Sequence, residues 1–236
     1  MGKRIVSQAR GHGSSVYRVR RKGYMIRIGY PNADGNAKII KLVHSPAHSA
    51  PLIKVQTGKD RKIFYNLAFE NAFEGQEIVL GKREGKKVVE GDIMKLKDIP
   101  QGTRIYNIET TFGDGGKLIR SGGSFATVNK REKEDVIIFM PSKKEKKLNG
   151  ECRATIGTIA GSGRKNKPIL KAGRRFHIMK AKGRKWHYTS AIKVNAVDHP
   201  FGSGRGKRIK SKIAKRNAPP GRRVGHLRPR RTGKKR

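Results

Sequence analysis

Between residues 24 and 161 the chain is written in short apolar runs whose alternating or continuous pattern is that of β-strands. They are AKIIKLV (Ala37 to Val43), LIKV (Leu52 to Val55), KIFYNL (Lys62 to Leu67), EIVLG (Glu77 to Gly81), RIYNIE (Arg104 to Glu109), FATVN (Phe125 to Asn129), DVIIFM (Asp135 to Met140) and RATIGTIAG (Arg153 to Gly161). Clusters of Gly, Pro, Asn and Asp separate them, a spacing that predicts small antiparallel barrels. No stretch there sustains the three-to-four-residue apolar period of a long helix. The charged, glycine-punctuated segment GKREGKKVVEGD (Gly81 to Asp92) is the natural break, giving two barrels of roughly 65 to 75 residues, each enough for a small core. The expected layout is a basic arm over 1–23, a first barrel over 24–89, a second over 90–165 and an extended arm over 166–236.

Charge separates the arms from the barrels. The 236 residues hold 57 Lys+Arg against 17 Asp+Glu, a formal net charge of +40. Residues 161–236 carry 26 of those bases and a single acid, Asp198, while no acid precedes Asp34. Self-repulsion on this scale opposes a compact state, so a polyanion is the expected partner. The arm after Gly161 mixes Gly, Pro, Lys and Arg with Phe176, Trp186 and Tyr188, too little apolar area to fold alone. It is expected to order on RNA, through cations on phosphates and flat side chains on exposed bases. The alternative is a solvated tail, against which the irregular tryptophan, prolines and glycines argue.

Other classes are excluded in turn. One cysteine, Cys152, permits no internal disulfide and no cysteine zinc site, so no metal and no cofactor is expected from the protein itself. Any magnesium nearby would belong to RNA phosphates. The opening MGKRIVSQARGHG lacks a signal peptide's apolar run and no stretch is long enough to span a bilayer, so a cytoplasmic protein with no membrane partner is expected.

Several longer strings carry a resemblance: HSPAHSAP (His44 to Pro51), IPQGTRIYNIE (Ile99 to Glu109), GDGGKLIRSGGSFATV (Gly113 to Val128), ECRATIG (Glu151 to Gly157), KAGR (Lys171 to Arg174), VDHPFG (Val197 to Gly202) and APPGRRVGH followed by RRTG (Ala218 to Gly233). Together they resemble the universal large-subunit ribosomal protein two family in its archaeal and eukaryotic form. The resemblance implies an all-β fold, an OB-like barrel followed by an SH3-like barrel, with extended basic N- and C-terminal arms threaded into rRNA. It further implies a place near the peptidyl transferase centre, neighbouring ribosomal proteins, the small subunit across the interface, and a role in subunit assembly and association. The chain departs from the family in the GSGRGKRIKSK that follows HPFG and in LRPRRTG near its end.

Charge and motif together mark the expected RNA-binding residues as Lys171, Arg174, Arg175, Arg184, Lys185, His199, Arg205, Lys207, Arg208, Arg216, Arg222, Arg223, Arg228, Arg230 and Arg231, with Arg4, Arg10, Lys117 and Arg120 as further candidates. GDGGK (Gly113 to Lys117) reads equally as a barrel turn and as a contact, and Arg120 shares that ambiguity. His199 beside Asp198 has the outline of a general base, but with no third group, and beside Pro200 and Gly202, it reads as fixing a loop or touching a phosphate or 2′-OH. GSGRGK (Gly202 to Lys207) is no phosphate-binding loop of the Walker type, since Arg208 follows where Ser or Thr is needed and no strand precedes it. Cys152 reads as a buried small apolar residue rather than a nucleophile. No catalytic residue and no small-molecule substrate are expected. A nucleic-acid packaging or ribosome-accessory protein is the alternative, and an rRNA-modifying enzyme would need an acid/base set that the basic half, with one acid, does not supply.

Overall fold

The computed structural model describes residues 2–58, 60–82, 88–204 and 213–226. The chain divides into two compact units, Arg21–Lys171 on the one hand and Met1–Arg20 with Ala172–Arg236 on the other. The fold is all-β. Among the described residues ten strands lie in the first unit: β1 (Gly35–Val43), β2 (Leu52–Thr57), β3 (Ile63–Leu67), β4 (Glu77–Leu80), β5 (Ile93–Lys95), β6 (Arg104–Tyr106), β7 (Ala126–Glu132), β8 (Asp135–Phe139), β9 (Glu145–Asn149) and β10 (Arg153–Ile156). Their hydrogen-bonded order is β3-β2-β1-β4-β5-β10-β6-β7-β8-β9. The first four strands make the OB-like half and the last six the SH3-like half. They are joined where β4 meets β5 in a short parallel contact, Leu80 beside Ile93.

Each half is packed on its own apolar cluster. Ile39, Leu52, Val55, Leu67 and Ile78 centre the first, and Ile99, Ile105, Ile108, Ile138 and Ala154 the second. Full burial of such side chains stabilises by about 1.5–3 kcal/mol for each large aliphatic. Register bulges between Ile39 and Lys41 in β1 and between Val128 and Lys130 in β7 bend those strands, so that β1 pairs with β4 at one end and β2 along most of its length. Cys152 is fully buried in the second cluster, where burial first, then Glu109 and Asp114, push its thiol up in pKa, away from thiolate chemistry.

The two halves interpenetrate. Ile93, Tyr106 and Ile159 of the second half are buried in the cluster of the first. Around them runs a closed ring of hydrogen bonds. Asn107 Nδ2 donates to Asn66 Oδ1 (3.0 Å), and Asn66 Nδ2 donates to Thr155 Oγ1 (2.9 Å). Thr155 Oγ1 lies 2.7 Å from the Tyr30 hydroxyl, which donates to the Asn107 carbonyl (2.6 Å). With the Tyr30 proton used there, Thr155 must donate to Tyr30, and the circuit is complete. Desolvation is the main reason Tyr30 is pushed far above the ordinary tyrosine range. A polar ring of this kind fixes the relative setting of two barrels more specifically than apolar contact alone.

Beside the ring sits a buried ion pair. Glu109 is fully buried and accepts from Arg153 three times, from its backbone N (2.9 Å), Nε (3.3 Å) and Nη2 (3.0 Å), and once from Gly115 N (3.1 Å). The remaining Arg153 nitrogen, Nη1, donates to the Pro31 carbonyl at 2.6 Å. Its guanidinium carbon lies 5.4 Å from the Tyr30 ring centre and 5.6 Å from that of Phe112.

Among its described residues the second unit contains two short helices that the apolar pattern did not announce, α1 (Val6–His12) and α2 (Ala172–Ala181). Neither has a buried residue, so neither needs the apolar stripe by which a helix is recognised in sequence.

Candidate nucleic-acid interface

The basic residues of the second unit are set on short elements that leave their heads in solvent. Arg174 and Arg175 are exposed on α2, and Arg4, Arg10, Arg184, Lys185, Arg216, Arg222 and Arg223 are exposed on the remaining described segments; Lys171, just before α2, is exposed as well. The unit holds 27 Lys+Arg and one acid, Asp198, which pairs with Lys3 at 3.6 Å. Three of the candidates, Arg10, Arg184 and Lys185, line one cavity. Arg205, Lys207, Arg208, Arg228, Arg230 and Arg231 lie outside the described residues.

His199 is held by its own loop. Its Nδ1 accepts from the Phe201 backbone N at 3.0 Å, its carbonyl accepts from Gly202 N at 2.8 Å, and its ring lies 5.1 Å from that of Phe201. Burial lowers its pKa, favouring the neutral imidazole. With Nδ1 accepting, the proton sits on Nε2, which can then donate to a phosphate or a 2′-OH. Asp198 turns to Lys3 rather than to the imidazole, so no acid-base relay forms.

In the barrel unit two of the longer strings meet. Ser49 Oγ of HSPAHSAP accepts from Gly122 N of the RSGGS loop at 3.0 Å, and Gly123 N donates to the Ile159 carbonyl at 2.9 Å. His48 stacks edge-on to Tyr24 at 4.8 Å, with Nδ1 2.6 Å from Ser45 Oγ, and burial together with the Arg120 charge lowers its pKa. Arg120 is half-buried and donates to the Gly116 carbonyl (3.2 Å). Lys117 is exposed and lies 3.5 Å from Asp114.

The GDGG segment is built as a turn by that same Asp114. Burial alone would raise its pKa, but the Thr110 hydroxyl and the backbone N–H groups of Gly116, Thr110 and Thr111 all donate to its carboxylate and hold it at about 2. Because the folded value lies below the unfolded one, the stabilisation is fully present above pH about 4 and fades as pH falls towards about 2. With the side chain only 8% exposed, Asp114→Asn is expected to cost on the order of 2 kcal/mol at neutral pH, a gap that closes between about pH 4 and pH 2 in denaturant titrations.

Two pairs of residues escaped the sequence reading. Arg104 stacks on the exposed Phe125 ring at 4.7 Å, and Arg153 pairs with buried Glu109. An interleaving of basic and aromatic positions is the signal that could have found the first pair; nothing local signals the second. Among the described residues no group of three or more His, Cys, Asp or Glu side chains comes together to hold a metal.

Comparison with known proteins agrees along the whole chain. Residues 89–221 match the family model for the C-terminal domain of Ribosomal Proteins L2. The chain is 42% identical to the large ribosomal subunit protein uL2 of Archaeoglobus fulgidus over 242 residues, covering all of both chains. It is 42% identical to that of Methanococcus maripaludis and 40% identical to that of Methanothermobacter thermautotrophicus, again over the full length of each. Two barrels carrying a strongly basic second unit, matched from end to end by these relatives, make this chain a member of the uL2 family of large-subunit ribosomal proteins.

Proposed function

We propose that the chain binds large-subunit rRNA near the peptidyl transferase centre, supports assembly of the subunit, and contributes to association with the small subunit. The observation that carries this reading is the second unit, with 27 bases, one acid and its described arginines exposed. Family membership makes the chain a structural constituent of the large subunit, and the resemblance stated for its motifs supports the finer position. In this reading the barrels give a rigid, sequence-distant frame, while Arg174, Arg175, Arg184, Lys185, Arg216, Arg222 and Arg223, together with Arg205, Lys207, Arg208, Arg228, Arg230 and Arg231, neutralise phosphates where RNA strands crowd. Neighbouring ribosomal proteins bound to the same rRNA are its further partners, in the cytoplasm.

The test is sedimentation of a lysate through a sucrose gradient, with the chain followed before and after a high-salt wash. It is expected to travel with the large subunit and to survive salt that strips purely electrostatic binders. Arg174→Ala, Arg175→Ala, Arg222→Ala and Arg223→Ala combined are expected to reduce incorporation, and to flatten the salt dependence of rRNA binding by roughly 0.7–0.9 in log-log slope for each phosphate no longer neutralised. Recovery at the top of the gradient, or ready loss on washing, would favour a packaging or accessory protein instead.

A further inference from the structure

The unit formed by residues 1–20 and the segment after 171 carries a half-open cavity of about 380 Å³, whose walls include Arg10, Tyr17, Met179, Arg184, Lys185 and Tyr188. We infer that this cavity is a receptor for one unpaired nucleotide of RNA, its base held against Tyr17, Tyr188 and Met179 and its phosphate by Arg10, Arg184 and Lys185. The inference deepens the RNA-binding reading and rests on it.

The cavity exists because two distant stretches of chain are fitted closely together. At the end of α2 the backbone turns back on itself, Gly183 N donating to the Lys180 carbonyl (3.1 Å) and Arg184 N to the Met179 carbonyl (2.9 Å). Gly183 has φ +63, and a Cβ there would lie 2.8 Å from Val19 Cγ2 and 3.0 Å from Val19 N. Only glycine allows the Tyr17–Val19 segment so near. The turn therefore sets Arg184 and Lys185 on the same opening as Arg10 and Tyr17 from the other stretch.

The lining selects the ligand. Two tyrosines and a thioether offer flat, polarizable contact, which suits a planar ring. Three cations stand beside them with no carboxylate among the lining residues, and the one acid of the unit, Asp198, is engaged with Lys3. Among the described residues Arg10, Arg184 and Lys185 thus have no acidic partner, and they call for an anion attached to the ring. A volume near 380 Å³ sits at the small end of ligand sites, which fits a single nucleotide rather than a duplex. Tyr188 is 61% exposed, so the base must come from an accessible loop, bulge or strand end, where RNA bases are unstacked.

The experiment compares the full chain with Tyr17→Ala, Tyr188→Ala, Tyr17→Phe and Tyr188→Phe. Each is titrated at one high salt concentration with a short oligouridylate and with a blunt RNA duplex of the same length. The alanine variants are expected to bind the single strand about 5- to 100-fold more weakly, the loss typical of one base–aromatic stack, while the duplex affinity stays unchanged and the phenylalanine variants keep the parent's affinity for both. Thiouridine-labelled oligonucleotide is expected to photocrosslink to the peptides carrying Tyr17 or Tyr188 in the parent, a readout that does not depend on any variant folding. Equal binding of both RNAs by parent and alanine variants, or crosslinks confined to other peptides, would overturn the pocket while leaving the ribosomal reading intact. A polyglutamate peptide that displaces the oligonucleotide and itself loses affinity in the alanine variants would assign the cavity to an acidic protein segment. If the parent binds neither RNA, it is the RNA-binding reading that fails.

Discussion

Replacing Glu109 by alanine is expected to destabilise the barrel unit by about 3–5 kcal/mol, because it strands the Arg153 guanidinium in the interior without its partner. The carboxylate is fully buried, and Arg153 is only 13% exposed. Removing it deletes all four of its hydrogen bonds at once and leaves a desolvated cation beside Tyr30 and Phe112. For a unit of this size that loss corresponds to a fall in Tm of roughly 6–20 °C, measurable by calorimetry of the full chain. The pair as a whole is worth much less than its disruption costs, since desolvating two charges consumes most of their attraction. Glu109→Leu combined with Arg153→Met is therefore expected to melt well above Glu109→Ala. If the double variant melts as low as the single one, the cost lies in poorer packing and not in an orphaned charge.

Gly116→Ala is expected to cost about 2–5 kcal/mol, from two sources that can be measured separately. Gly116 has φ +86, and a Cβ there would fall 2.4 Å from the Asn107 carbonyl oxygen and 2.5 Å from Asn107 Oδ1. Neither atom can retreat easily. The carbonyl accepts the Tyr30 proton that closes the hydrogen-bonded ring, and Asn107, itself at φ +47, is fully buried with Oδ1 unpartnered among the described residues. Gly113, three residues earlier, has φ +82 but nothing within 4 Å of its missing Cβ. Gly113→Ala should show the left-handed backbone cost alone, about 1–2 kcal/mol, and the difference between the two variants measures the strength of the contact against Asn107. Similar melting curves for both would mean that the ring tolerates displacement.

These two sites show what a sequence does and does not declare. Strands with one face inward, such as Leu52–Thr57 or Asp135–Phe139, write their burial into alternation or a short apolar run and were legible. Ile93–Lys95 is too short to register, and Glu145–Asn149, reading EKKLN with only Leu148 buried, looks like a charged loop until its pairing with β8 is known. The helices stayed hidden for a related reason: α2 places Arg174, Arg175 and Lys180 around an axis that buries nothing. At the candidate interface the exposed cations were legible as candidates from composition, because a proposed phosphate contact needs only charge and exposure. Glu109 was not, because its meaning depends on Arg153, which pairs with it across 44 positions of chain. The Tyr17 and Tyr188 cavity is the extreme case, since its two aromatic walls come from opposite arms.

That last arrangement bears on the order of events during synthesis. Residues 21–171 form one continuous compact unit, whereas the unit containing residues 1–20 is completed only by residues after 171. The barrels can therefore fold while the chain is still being made, as contiguous domains generally do. The opening segment, with α1 already encoded, has to wait for partners that emerge more than a hundred residues later. During that interval it is a short basic segment without the residues it packs against. The strongly basic unit is thus completed only after the whole of the barrel unit has been made.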